Sequence, residues 1–179
     1  IVDQREIGQD AKSFSQALRS AMRQAPDVIL IGEMRDHETI SAALTAAETG
    51  HLVFSTLHTL GAAKTIDRIV DIFPANQQQQ VRVQLSTVLQ AVVTQQLISS
   101  DKLGRVPAFE IMLANPAIRN LIREGKVPQI DAAIQTGRAE GMMSMDMDLA
   151  RLYNEGLINK DDAYQYCLNP DVLSRYVNQ

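Results

Sequence analysis

Apolar residues Phe14, Ala17, Leu18, Ala21, Met22 and Ala25 fall at steps of three and four, the spacing of one helix face, and Pro26 ends the run. Residues 28–32 (Val-Ile-Leu-Ile-Gly) are a continuous aliphatic run, short and rich in β-branching, that predicts a strand covered on both faces. Asp36 is placed to cap a second helix with Ile40, Ala43, Leu44 and Ala47 inward and Gly50 as its stop. Residues 52–57 read as a second strand and residues 62–70 as a further helix that ends before Pro74. Strand, helix, strand, helix in this order implies parallel neighbours joined by right-handed crossovers.

Val81, Leu85, Val88, Leu89, Val92 and Val93 predict one long helix, with the glutamine run 77–80 as its solvated start, and residues 106–113 predict another strand. After Pro116 the pattern breaks into short helices at 117–123, 129–135, 144–154, 160–168 and 171–176, punctuated by glycine and proline. The organisation expected is therefore an α/β part over residues 1–115 and a helical subdomain over 116–179. Met142, Met143, Met145 and Met147 read as fillers of core gaps rather than as a partner groove.

Length and composition narrow the function classes. A chain of 179 residues with 45% hydrophobic and 21% charged residues suits about one domain with a real core. Its 17 Lys+Arg against 21 Asp+Glu, a formal net charge of −4, argues against a dedicated nucleic-acid binder, which shows a basic stripe. Cys167, the single cysteine, excludes an intramolecular disulfide framework and a multi-cysteine zinc cage. No apolar run approaches the ~18–20 residues that span a bilayer, and residues 1–10 lack a signal-peptide core. These features read as a soluble protein of a reducing compartment.

Two segments carry candidate chemistry. In Asp27-Val28-Ile29-Leu30-Ile31-Gly32-Glu33-Met34-Arg35-Asp36, an aliphatic strand ends in a carboxylate, the way Walker-B-type strands present charge at the nucleotide edge of a parallel sheet. Glu33 there can orient or deprotonate a water or hold the shell of a magnesium ion; the competing reading is a buried strand followed by a charged helix cap. In Glu48-Thr49-Gly50-His51-Leu52-Val53-Phe54-Ser55-Thr56-Leu57-His58-Thr59, two histidines invite a metal reading. Seven steps of an unbroken strand separate them by roughly 23 Å, too far for one ion. Sheet geometry is more informative: Glu33 and His58 both stand at the carboxyl ends of their strands, where ligands of open parallel sheets gather. His51, at the opposite end, suits a structural or interface part. The phosphate-cradling pattern Gly-x-x-x-x-Gly-Lys-[Ser/Thr] does not occur, and residues 8–13 are a near miss that suits a helix entry. A chain with the late parts of a phosphate-transfer site but not the cradle reads as the C-terminal portion of a longer protein.

Both segments closely resemble the Walker B and His boxes of the secretion-superfamily ATPases. Ala117, Ile118, Arg119, Asn120, Leu121, Ile122, Arg123 and Glu124 resemble the C-terminal motif of that superfamily's type IV pilus retraction branch. The likeness runs from Arg5 to about Gly156. Extension motors and type II secretion ATPases of the superfamily carry a four-cysteine zinc module here, so a lone Cys167 favours the retraction branch. The resemblance implies part of a RecA-like parallel-sheet core followed by a helical subdomain. It implies a hexameric motor at the cytoplasmic face of the inner membrane, without a transmembrane segment of its own, that uses ATP and Mg²⁺ to drive pilus retraction and twitching motility against a membrane platform protein. By position, Glu33 corresponds to the catalytic Walker B glutamate and His58 to the histidine near the γ-phosphate. Thr56, Arg35 and His51 stand in the same boxes beside the nucleotide, and residues 117–124 transmit motion. The chain by itself is expected to be inactive and mostly monomeric. Two alternatives accompany this reading. One is a non-catalytic coupling module whose Ile118, Leu121 and Ile122 form a stripe for a partner; the other is an accessory retraction ATPase.

Overall fold

The computed structural model describes residues 2–177; Ile1, Asn178 and Gln179, counted in the expected domain spans, lie outside the described residues. The described residues form two compact units, one of residues 2–58 and 68–88 and one of residues 59–67 and 89–177.

In the first unit, α1 (Phe14–Ala21) starts at Ser13, whose hydroxyl accepts the Gln16 amide at 3.2 Å. The helix expected to reach Ala25 tightens into a 3₁₀ turn at Met22–Gln24, and Ala25 takes a φ of 50°, which reverses the chain ahead of Pro26. Next come β1 (Val28–Ile31), α2 (His37–Glu48) and β2 (Leu52–Ser55), and the two strands pair in parallel from Val28–Leu52 to Ile31–Ser55. Asp36 caps α2 as expected, Oδ1 accepting the Thr39 amide at 2.8 Å and Oδ2 the Thr39 hydroxyl at 2.9 Å. Gly50, at φ 97°, ends the helix, and the amides of Gly50 and His51 return to the carbonyls of Ala47 and Ala46.

Leu18, Ile29, Ile31, Ala43 and Ala46 form the core of this unit. β1 is not covered on both faces, contrary to the sequence reading. Ile29 and Ile31 are buried by α1 and α2, whereas Val28 and Leu30 are 54% and 78% exposed beside the likewise exposed Leu52 and Phe54 of β2. α4 (Ala75–Val88) carries the glutamine run on a mostly solvated surface and buries Val81 and Leu85.

In the second unit the predicted long helix is corrected. α4 stops at Val88, and β3 (Ala91–Ser100) pairs antiparallel with β4 (Gly104–Leu113) from Ala91–Leu113 to Ser100–Gly104. Val92 and Val93 belong to the strand. Its period of two is masked because the covered positions include Thr94 and Ser100 while the outward ones include Val93 and Leu97. The short helices follow as predicted: α5 (Pro116–Arg123), α6 (Ile130–Thr136), α7 (Met145–Asn154), α8 (Lys160–Tyr166) and α9 (Pro170–Tyr176). α3 (Ala62–Asp71) contributes its first residues to this unit and its last to the other.

Ile98, Val106 and Ala108 of the hairpin share one core with Met145, Leu149 and Leu152 of α7 and Leu173 of α9. Met143 adds an antiparallel bridge to Ile111, with amide–carbonyl distances of 2.8 and 3.0 Å. The compact units therefore divide differently from the expected break after residue 115, because α7 covers the inward face of β4 and draws the hairpin to the helices. Met142 and Met145 are buried, as core fillers are.

Candidate active site

The first unit builds an edge from the exits of β1 and β2. Past the last ladder pair, the Thr56 hydroxyl donates to the Gly32 carbonyl at 2.6 Å and the Met34 amide donates to the Thr56 carbonyl at 3.1 Å. These two bonds carry the parallel pairing beyond the strands and hold residues 32–34 beside residue 56. Glu33 is thereby presented at the rim, with its side chain 30% exposed. Its Oε2 lies 2.7 Å from Arg35 Nε and 3.6 Å from His58 Nε2. The carboxylate stands between a guanidinium and an imidazole, both mostly open to solvent. An added Cβ at Gly32 meets nothing within 4 Å, so the approach beside Glu33 is open.

Such an edge can offer a carboxylate oxygen to a water, and cationic or N–H groups to an anion, on neighbouring strands of one sheet. The expected meeting of Glu33 and His58 is what the geometry contains, and Thr56 and Arg35 join them. His51 precedes β2 rather than following it. Its Nδ1 lies 3.0 Å from the Ala46 carbonyl and 3.1 Å from Thr49 Oγ1, so it finishes the C-terminal turn of α2.

The 117–124 segment occupies α5. Asn115 caps it, Oδ1 accepting the Ile118 amide at 2.9 Å, and Pro116 fills the first helical position. Ile118 and Ile122 are wholly buried. Two of the three apolar residues of the coupling-module stripe, Ile118 and Ile122, therefore belong to this unit's own packing, while Leu121 is half-buried. Polar residues remain outside: Asn120 Nδ2 donates to Glu124 Oε1 at 3.0 Å, and Lys126 Nζ meets Glu124 Oε2 at 2.7 Å. The hydrogen bond from Lys126 is the chief cause that holds the Glu124 carboxyl below its ordinary range.

Three buried carboxylates escaped the sequence reading. Glu110 accepts the Ala62 amide at 2.6 Å, Asp146 accepts the Leu168 amide at 2.7 Å, and Asp148 accepts the Phe109 amide at 2.8 Å and Arg151 Nε at 2.7 Å. Glu110 did leave a signal, an acid at an inward position of the alternating series Val106, Ala108, Met112. Asp146 and Asp148 lay hidden among the methionines.

Comparison with known proteins then assigns the family: residues 3–148 match the Type II/IV secretion system protein model. The chain belongs to the Type II/IV secretion system protein family. Among members of this family, the twitching motility protein of Neisseria gonorrhoeae is 55% identical over 175 residues, which cover 97% of this chain and 47% of that protein. The type IV pilus retraction ATPase PilT of Pseudomonas aeruginosa is 57% identical over 171 residues, 96% of this chain and 50% of that one. A crystal structure of the pilus retraction motor PilT with bound ADP superposes with a TM-score of 0.89 at 52% identity, over 98% of this chain and 49% of that chain. This family member thus spans about half the length of the curated relatives it matches. The expected fold class, an α/β part with parallel strands together with a helical part, agrees with that likeness.

Proposed function

We propose that this chain carries the hydrolytic edge of an ATPase that drives type IV pilus retraction, as one part of a longer polypeptide. The observation that carries the reading is the 3.6 Å approach of Glu33 Oε2 to His58 Nε2 at the exits of parallel neighbours, in a chain more than half identical to a pilus retraction ATPase. ATP is the substrate. Glu33 aligns the attacking water through a carboxylate oxygen, and Arg35 holds that carboxylate in place. His58 presents Nε2 to the terminal phosphate, and Thr56 keeps the two strand exits at a fixed separation.

Among the described residues no three His, Cys, Asp or Glu side chains are arranged to hold a metal ion. One rim carboxylate fits the way Mg²⁺ is commonly bound, through one or two carboxylates together with substrate phosphates. When bound, the ion neutralises phosphate charge, and Glu33 is the residue here that would hold its shell.

In the whole protein, the unit of β1, α2 and β2 supplies part of a RecA-like core, and the helices after Pro116, together with the β3–β4 hairpin they pack on, supply the helical part. The motor works as a homo-hexamer at the cytoplasmic face of the inner membrane, against a pilus platform protein. No helix among the described residues is long and apolar enough to cross a membrane. His51 serves indirectly, through α2, and the polar face of α5 carries motion to a partner.

Glu33→Gln in the whole protein tests the reading. Hydrolysis is expected to fall by about 10²–10⁴-fold, the usual contribution of a positioned acid–base group. Nucleotide affinity, read by titration with a fluorescent ATP analogue, is expected to hold. Wild-type turnover in that variant removes Glu33 from the chemistry.

A further inference from the structure

Glu110 occupies an inward position of β4 and is 2% exposed, a setting in which a carboxylate survives only with hydrogen-bond partners. Two backbone N–H groups face it. The Ala62 amide, at the first residue of α3, donates to Oε1 at 2.6 Å; the Met145 amide, at the first residue of α7, is a weaker neighbour that favours the charged carboxylate, and α7 is fixed to the residues flanking Glu110 by the Phe109 amide on Asp148 and the Ile111–Met143 bridge. One side chain thus joins the starts of two helices that are remote in sequence. Burial, reinforced by the nearby charges of Asp131 and Asp146, pushes its carboxyl up, so the link is kept despite an electrostatic cost. An apolar side chain would fill this core position without that cost but would leave the Ala62 amide unpaired.

The segment that Glu110 grips is itself stiff. The Thr59 and Thr65 hydroxyls lie 2.7 Å apart, and the Thr65 hydroxyl donates to the Gly61 carbonyl at 2.9 Å. Gly61 turns the chain at φ +90°. Thr59 is bonded directly to His58, and the division between the compact units falls at that peptide link. Beyond Glu110, α7 is tied onward. Asp146 accepts the amides of Leu168 and Asn169, and Asp148 accepts the amide of Phe109.

We propose that Glu110 is a positioning residue that delivers a displacement of His58, through residues 59–62, to the start of α7. The inference rests on the proposed reading of His58 as the group facing the terminal phosphate. Residues 59–62 act as a short strut, Glu110 as the joint between α3 and α7, and the Asp146 and Asp148 contacts spread the motion through the helical part.

Hydrogen–deuterium exchange on the whole protein, with and without a non-hydrolysable Mg-ATP analogue, tests this. In the wild type the analogue is expected to change exchange at residues 59–66 and at residues 145–149. Glu110→Gln keeps the volume but offers one carbonyl acceptor to two donors. It is expected to stay folded with a cooperative melting transition and to keep its KM for ATP and the response at 59–66, while the response at 145–149 falls severalfold. Ala62→Pro deletes the other end of the joint at a helix position that tolerates proline, and it is expected to give the same split. A purely structural Glu110 predicts the opposite pattern, in which any loss at α7 tracks a loss of stability. A folded variant of either kind with a wild-type response at α7 overturns the proposal. Wild-type protein that hydrolyses ATP without any response at α7 overturns it too and leaves the functional reading standing. Wild-type protein that neither binds nor hydrolyses ATP overturns both.

Discussion

Glu33 and His58, carried by adjacent parallel strands, bring Oε2 and Nε2 to 3.6 Å at the strand exits. The separation exceeds a hydrogen bond, and His58 is 81% exposed, so the contact adds little stability and leaves both groups free to turn toward a third. Arg35 is the firmer neighbour of the carboxylate, at 2.7 Å. What fixes the pair is backbone register, and the predictions below begin with the bond that extends it.

Thr56→Val removes the hydroxyl that reaches the Gly32 carbonyl at 2.6 Å while keeping the side-chain shape. A stability loss of about 1 kcal/mol is expected in urea denaturation. Turnover of the whole protein is expected to fall while nucleotide affinity holds, because residues 32–34 lose their tether. Unchanged turnover would show that the strand exits are held by the backbone alone.

Ile122 and Arg123 separate packing from transmission on α5. Ile122→Ala empties a fully buried site and is expected to cost about 2–4 kcal/mol in chemical denaturation. Arg123→Ala, at an exposed position, is expected to stay within about 1 kcal/mol of wild type. If the polar face of α5 carries motion, the arginine variant hydrolyses ATP normally and loses pilus retraction. Normal retraction removes the coupling role from Arg123.

Arg151 shields a buried charge. Asp148 is fully buried and accepts the Phe109 amide and Arg151 Nε, while the guanidinium is about half exposed and also meets Glu155 at 2.9 Å. Breaking a buried pair costs about 3–5 kcal/mol, and solvent screening at the exposed arginine reduces this to about 1–3 kcal/mol for Arg151→Met. Urea midpoints measure the loss; a midpoint equal to wild type means that the Phe109 amide suffices for Asp148.

Acid–base linkage has a definite sign in the second unit. Burial is the main cause that raises the carboxyls of Glu110 and Asp146 above their ordinary values of 4.5 and 3.8. Above those ordinary values the native chain holds protons that the unfolded chain has released. Stability from these groups therefore declines as pH rises through the window between the ordinary and the raised values. Glu110→Gln removes one such group, so the variant is expected to gain on wild type as pH rises above the ordinary carboxyl value of 4.5. Denaturant midpoints that run parallel for the two proteins across this range contradict the shift.

Much of the site was legible from local chemistry. The aliphatic run ending in Glu33, the cap at Asp36 and the second run ending near His58 specify a strand–helix–strand unit through period, capping and turn residues alone. Parallel pairing then puts Glu33 and His58 at the same edge. The hairpin was not legible in the same way. At residues 91–100 the covered face includes Thr94 and Ser100 and the outward face Val93 and Leu97, so hydropathy alternates in the wrong sense and a helical reading wins.

The sequence by itself determined the family motifs, the order of elements in the first half, the short helices after Pro116 and the strand ends that bear Glu33 and His58, because each depends on residues close together in the chain. Tertiary structure alone decided that β1 keeps one open face, that Ile118 and Ile122 turn inward, and that Glu110 joins α3 to α7. Those outcomes depend on which distant surface or amide comes within reach, and burial and hydrogen-bond pairing between remote segments leave no periodic trace along the chain.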